Sequence, residues 1–387
     1  MPTIDVPAPS FMQEESLRAF EDSIARFFDK HAPPARTQKW REDKQVEREF
    51  WREAGEAGLL GVSVPVEYGG GGGDFRYDAV LFDQIQRKDV SGFAAALHNG
   101  IILPYVTAHG TEEQKKRWLP RLCNGELVAA IAMSEPAVGS DLQNIRTTAL
   151  KDGNGYRING QKTFISSGQI ADFVVVVAKT DPAKGAKGIS LLVVETKEAE
   201  GFRRGRKLDK VGLDAADTSE LFFDDVWVPA ENLLGLQEGL GFKQLMSELP
   251  RERLVIALGA ATSAEIALET TIEYVKDRKA FGQTLIDFQN TQFKLAECKT
   301  EATLSRVFIN HCLEELLAGR LDSAKASMAK YWCTDTENKI IDTCLQLHGG
   351  YGYMNEYKIG RMFRDARVSR IYGGSNEIMK VLIARTL

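Results

Sequence analysis

Residues that could bridge a crosslink or hold a metal are few in this chain. Its five cysteines (Cys123, Cys298, Cys312, Cys333 and Cys344) are scattered, odd in number and without a C-x-x-C pair. That pattern argues against a disulfide framework and a structural zinc site, and for a reducing compartment. The five histidines, His31, His98, His109, His311 and His348, form no ligand set, so no metal is expected. Long hydrophobic runs are missing too. The most apolar, Phe173 to Ala178, falls far short of the roughly 20 residues a membrane helix needs, and no membrane span is expected. Neither sign of charge dominates: 49 Lys and Arg stand against 54 Asp and Glu, for a net charge of -5. This leaves no electrostatic footprint for nucleic acid. The clusters Lys115 to Arg117 and Arg203 to Lys207 are short enough to read as solvated faces. Met1 to Pro7 lacks the basic and apolar regions of a signal peptide, and a cytoplasmic location is expected. Two nucleotide signatures are absent as well. The glycine tract Gly69 to Gly73 is not followed by Gly-Lys-Ser/Thr, and no strand–GxGxxG–helix unit occurs, so neither a P-loop nor a Rossmann site is expected.

What is present falls into three zones, and 387 residues are too many for one compact core. Residues 1–125 carry helical periodicity. Leu17, Phe20, Ile24, Phe27 and Phe28 recur every three or four positions, and Pro33-Pro34 ends that stretch. A second helix is expected near Glu47 to Ala57, a loop at the glycine tract, an apolar helical stretch over Ala79 to His109, and a helix capped by Thr111. Residues 126–235 change character. Phe173 to Ala178, Ile189 to Glu195 and Glu220 to Val228 are rich in β-branched and aromatic residues, with no helical stretch between them. The pattern predicts an antiparallel barrel or sandwich. In residues 236–387 the helical period returns, with Pro250 as a kink or a new start, and the long regular stretches predict a four-helix bundle. The fold class is therefore α+β, in the order helices, strands, helices.

Five separated stretches then carry a resemblance. They are Val64 to Gly70, Ala132 to Asp141, Arg278 to Gly282, Gln346 to Gly352, and Tyr372-Gly373-Gly374-Ser375-Asn376-Glu377. In order and spacing they resemble the acyl-CoA dehydrogenases along almost the whole chain, and Arg251-Glu252-Arg253 with Tyr372-Gly373-Gly374 most resembles the long-chain branch. The resemblance implies FAD between the middle domain and the bundle. By motif position, Met133 and Ser134 lie near the flavin's pyrimidine end, Gly139 and Ser140 form a tight turn near flavin and thioester, and Phe164, Ile165 and Ser166 pack on the ring. In a family tetramer, Arg278, Phe281, Gln289, Gln346, Gly349 and Gly350 serve a neighbouring subunit's dinucleotide, and Ser375 and Glu377 also touch FAD. Elementary chemistry agrees with such roles: an arginine forks to a diphosphate, and glycines let backbone N–H groups approach its oxygens.

The implied reaction removes a proton beside a thioester carbonyl while the β-carbon passes hydride to the flavin, and electron-transfer flavoprotein takes the electrons. Many family members place the glutamate base where this chain has Gly373, which retains only its backbone N–H as a carbonyl donor. Glu252, at the position used by the long-chain branch, is then the expected base, with a pKa raised by burial. Ser140, Arg253 and Gly374 are expected at the substrate, and small Gly92 and Ala96 at the blind end of an acyl channel for medium- to long-chain or bulky groups. Other readings on the same fold are an acyl-carrier-protein thioester dehydrogenase and a flavin oxidase or monooxygenase.

Overall fold

The computed structural model describes residues 3–387. The first zone folds into α1 (Glu15–His31), α2 (Pro34–Asp43), α3 (Arg48–Glu56), α4 (Phe75–Arg87), the single turn α5 (Ala95–Leu97), α6 (Leu103–His109) and α7 (Glu112–Cys123). Local chemistry sets their ends. Pro34 starts α2, where a missing N–H costs nothing, and the Asp74 side chain caps α4 by accepting from Arg76 N. Thr111 and Gln114 form a reciprocal capping box on α7, as the sequence predicts. The expected single stretch from Ala79 to His109 is interrupted. Helix α4 ends at Arg87, and the chain re-enters helix through α5 and a π-turn at His98–Ile102 before α6. The glycine tract doubles back on Gly61 to Pro65: Gly71 N donates to Gly61 O and Gly73 N to Val62 O. A Cβ on Gly70 or Gly71 would strike Val64 or Val62 backbone, so packing demands these glycines.

The middle zone is a curled seven-stranded sheet ordered β1-β4-β2-β3-β7-β6, with β5 also on β4. The strands are β1 (Ala129–Ala132), β2 (Thr148–Asp152), β3 (Gly155–Ser166), β4 (Phe173–Lys179), β5 (Ile189–Glu195), β6 (Phe202–Lys207) and β7 (Thr218–Pro229). Pairing is antiparallel except on β4, where β1 and the first residue of β2 run parallel. Strand β4 is buried on both faces, which is why Phe173 to Ala178 reads as a continuous apolar run.

The last zone holds three long helices, α8 (Gly241–Asp277), α9 (Gln289–Leu317) and α10 (Ser323–His348), and two short ones, α11 (Lys358–Ala366) and α12 (Asn376–Ala384). A hairpin, β8 (Lys279–Ala280) with β9 (Gln283–Thr284), joins α8 to α9. Pro250 starts no new helix. It lies inside α8 and removes only the donor to Met246 O, while Leu245, Leu254, Leu258 and Ala261 pack on both sides of it. By length and composition α8 could cross a membrane, yet 72% of its most apolar window is buried inside the fold. Those residues form the core that joins the bundle to the N-terminal helices.

Candidate active site

The carboxyl of Glu252 sits on α8 and is 5% exposed. The Tyr105 hydroxyl, on α6, donates to its Oε1 at 2.6 Å. Oε2 has no hydrogen-bond partner among the described residues, so one oxygen is held and the other left to act. Burial pushes the Glu252 carboxyl up to about 7; the Tyr105 hydroxyl pulls back, the Glu248 charge pushes further, and Arg253 opposes it weakly. The flanking arginines point away, as a useful base requires. Arg251 donates to buried Asp78 at 2.8 Å and lies over the Phe75 ring.

Gly373 adjoins the same face of α8. A Cβ there would come within 2.2 Å of Ile256 Cδ1, one turn beyond Glu252, and its φ of +62° lies in the left-handed region. Ile256 thus occupies room that a side chain at 373 would need. The Gly373 N–H has no partner among the described residues and remains available to an oxygen. Lys330, from α10, anchors this turn: its Nζ donates to Gly374 O at 2.8 Å and Asn376 Oδ1 at 2.9 Å. Burial pushes the Lys330 amine down to about 8. Ser375 caps α12 by accepting from Ile378 N, with Glu377 exposed in the first turn.

The expected flavin-facing residues come together at the sheet. Ser134 O accepts from Thr163 N, and Met133 O accepts from Lys162 Nζ at 2.9 Å, which ties the 133–147 loop to β3. Phe164 is 70% exposed at φ +59°, and Ser166 is exposed beside it. A bare aromatic face next to Ser134, whose N–H and hydroxyl are unbonded among the described residues, suits a flat ring with a polar edge. Ile165 departs from expectation. A β-bulge between Lys162 and Ile165, with Phe164 at positive φ, breaks the alternation and turns the Ile165 side chain into the sheet core, leaving only its backbone on the ring side. The tight turn is at Pro136–Ala137, between Glu135 and Val138; Gly139 and Ser140 follow it, exposed, with open space around Gly139.

Two substrate expectations are corrected. Arg253 is 4% exposed and donates to Ser323 and Ser327 of α10, so it faces the bundle interior and not a ligand. Gly92 lies against the 209–217 loop, where a Cβ would come within 2.4 Å of Ala215 Cβ; interdomain packing explains its small size. Ala96 does pack on the core that includes Leu254 and Val255 of α8.

A second patch lies at the far end of α8. Arg278 sits over the Tyr351 ring, Phe281 is 96% exposed at the hairpin tip, and Gln289, Gln346, Gly349 and Gly350 are exposed nearby in sequence. At 1.5 Å per residue, Arg278 is about 39 Å along the helix from Glu252.

Sequence reading missed Tyr105, which is 147 residues from Glu252 and carries no local signal. It also missed the buried pair Lys162–Glu135, 3.0 Å apart. Here a signal existed: Lys162 continues the inward alternation of Ile158, a register reserved for apolar residues.

Comparison with known proteins identifies the family and the fold. The N-terminal, middle and C-terminal domain families of acyl-CoA dehydrogenase match residues 14–126, 130–226 and 239–387. The mitochondrial long-chain specific acyl-CoA dehydrogenase of Sus scrofa is 47% identical over 370 residues, 95% of this chain and 85% of the relative. The crystal structure of an acyl-CoA dehydrogenase from Geobacillus kaustophilus superposes with a TM-score of 0.94 at 49% identity, covering 96% of this chain and 98% of that one. A glutaryl-CoA dehydrogenase from Mycobacterium smegmatis, in complex with FADH2, superposes with a TM-score of 0.88 at 29% identity, covering 97% and 95%. With all three domains matched in order around a buried carboxyl, the chain belongs to the acyl-CoA dehydrogenase family.

Proposed function

We propose that this enzyme binds FAD and dehydrogenates medium- to long-chain acyl-CoA at the α,β-bond, with Glu252 as the base. The observation that carries the reading is the buried Glu252 carboxyl, one oxygen free, on the α8 face that Gly373 adjoins. Glu252 Oε2 takes the α-proton, and the Gly373 N–H donates to the thioester oxygen as negative charge builds there. Phe164 covers the ring, and Met133, Ser134 and Ser166 border it. FAD, when bound, accepts the hydride from the β-carbon. The distal patch of Arg278, Phe281, Gln289, Gln346, Gly349 and Gly350 is too far from Glu252 to serve the same flavin, which supports a homo-oligomer in which each subunit completes its neighbour's site. Electron-transfer flavoprotein is the proposed electron acceptor. The preference for longer chains rests on likeness to the porcine long-chain relative, since Gly92 and Ala96 are both accounted for by packing.

Anaerobic bleaching of the flavin by C4 to C16 acyl-CoA tests the reading. We expect the highest kcat/KM at C8 or longer; a C4 optimum would end the deep-channel idea. Reoxidation by electron-transfer flavoprotein and not by oxygen is expected, and rapid reoxidation by oxygen would favour an oxidase. The rate of flavin reduction should depend on pH in a defined sense. A base must be ionised to act, so with Glu252 near 7 the rate is full above that pH and falls about tenfold per unit below it. Stopped-flow reduction between pH 5.5 and 9 checks this; a flat profile contradicts it.

A further inference from the structure

Helix α6 holds the base-bearing face of α8 by two side-chain rungs. The Tyr105 hydroxyl donates to Glu252 Oε1 at 2.6 Å, and His109 Nε2 lies 2.9 Å from Glu248 Oε1. Both rungs are spaced four residues apart on each helix, in opposite senses, so the helices run antiparallel with the rungs one turn apart. The inner rung is buried. The outer is half-buried, and the Ser247 hydroxyl also reaches Glu248 and His109.

We propose that Tyr105 is a positioning residue for the base: its phenol fixes the Glu252 carboxyl with Oε2 free, and Glu248 acts on the same carboxyl from the outer rung. The inference rests on Glu252 being the base.

Packing does not account for the phenol. Tyr105 lies among Ile102, Leu103, Val106, Trp118 and Leu122, where phenylalanine would fill the same space without a polar atom to satisfy. Glu252 is the only bonded partner of its hydroxyl among the described residues. The charged neighbours of Glu252 are accounted for. Glu248 is one turn earlier and faces His109; Arg253 is engaged by Ser323 and Ser327, and Arg251 by Asp78. Lys330 faces the Gly374 turn, and Gly373 brings no charge. A phenol donor favours the carboxylate over the acid, whereas the Glu248 charge favours the acid. Removing each should therefore displace the base's titration in opposite directions.

The test is anaerobic stopped-flow reduction of the FAD holoenzyme by saturating acyl-CoA across pH, for wild type, Tyr105→Phe, Glu248→Gln and Glu252→Gln. We expect the acid limb to move up by about one unit in Tyr105→Phe and down by about half a unit in Glu248→Gln, with KM within about twofold. A purely structural role would lower rate or stability without opposite displacements. If Tyr105→Phe does not retain FAD, 3-fluorotyrosine at position 105, the same shape with a stronger donor, should move the limb down. An unmoved limb in whichever Tyr105 variant holds FAD overturns the proposal. If Glu252→Gln is inert while that limb stays put, only the role of Tyr105 falls; if Glu252→Gln reduces normally, the base assignment itself falls.

Discussion

Glu252→Gln should give a folded, yellow protein whose flavin acyl-CoA cannot bleach, with the reduction rate lowered by at least about 10³-fold. Glutamine has the same shape, and its carbonyl oxygen can still accept from Tyr105, so the α6–α8 contact survives. What disappears is the proposed acceptor of the α-proton, and the nearby groups among the described residues do not replace it. Gly373 has no side chain, Glu248 is bonded to His109, and Asp78 is bonded to Arg251. Stability should hold or rise, because a buried carboxyl ionises at a desolvation cost that a neutral amide avoids. Single-turnover reduction and a thermal melt together separate loss of the base from loss of fold. Near-normal bleaching would return the proton to some other acceptor.

Lys162→Met is expected to have the second large effect, on stability and cofactor retention. Lys162 is fully buried in β3 and donates to Met133 O and to Glu135 Oε1, while Glu135 also accepts from Arg146 N at 2.6 Å and Thr147 N at 2.9 Å. Burial pushes the Lys162 amine down to about 8, with Glu135 pulling it back up. Methionine fills the space but leaves Glu135 buried without its cation, a loss of about 3–5 kcal/mol. The Met133 carbonyl also loses its donor, which frees the loop at the proposed flavin site. A markedly lower Tm and FAD lost on gel filtration are expected, measured by thermal denaturation and the flavin-to-protein absorbance ratio. Adding Glu135→Gln to this variant removes the stranded charge and should recover part of the Tm. A single variant as stable and as yellow as wild type would show that the pair does not hold the loop.

Local signals in the chain made much of this fold legible. Thr111 caps α7, the β-branched run at 173–178 is a doubly buried strand, and Leu245, Leu254 and Leu258 share a helix face, because caps and periods act over one or two turns. Legibility failed where an element depends on its neighbours. Pro250 reads as a kink or a new start, and the core around it carries one helix through it, while Ile165 reads as a ring contact until the register of β3 turns it inward.

Alone, then, the sequence determined the order of helices, strands and helices, the family, and the pairing of an absent side chain at 373 with a carboxyl at 252. These reside in short motifs and repeating patterns. The tertiary structure alone decided that Tyr105 meets Glu252, that Lys162 neutralises Glu135, that Arg253 turns to Ser323, and that Gly92 is small for the sake of Ala215. Those partners lie 147, 27, 70 and more than a hundred residues apart, and only the packing of whole elements brings them together.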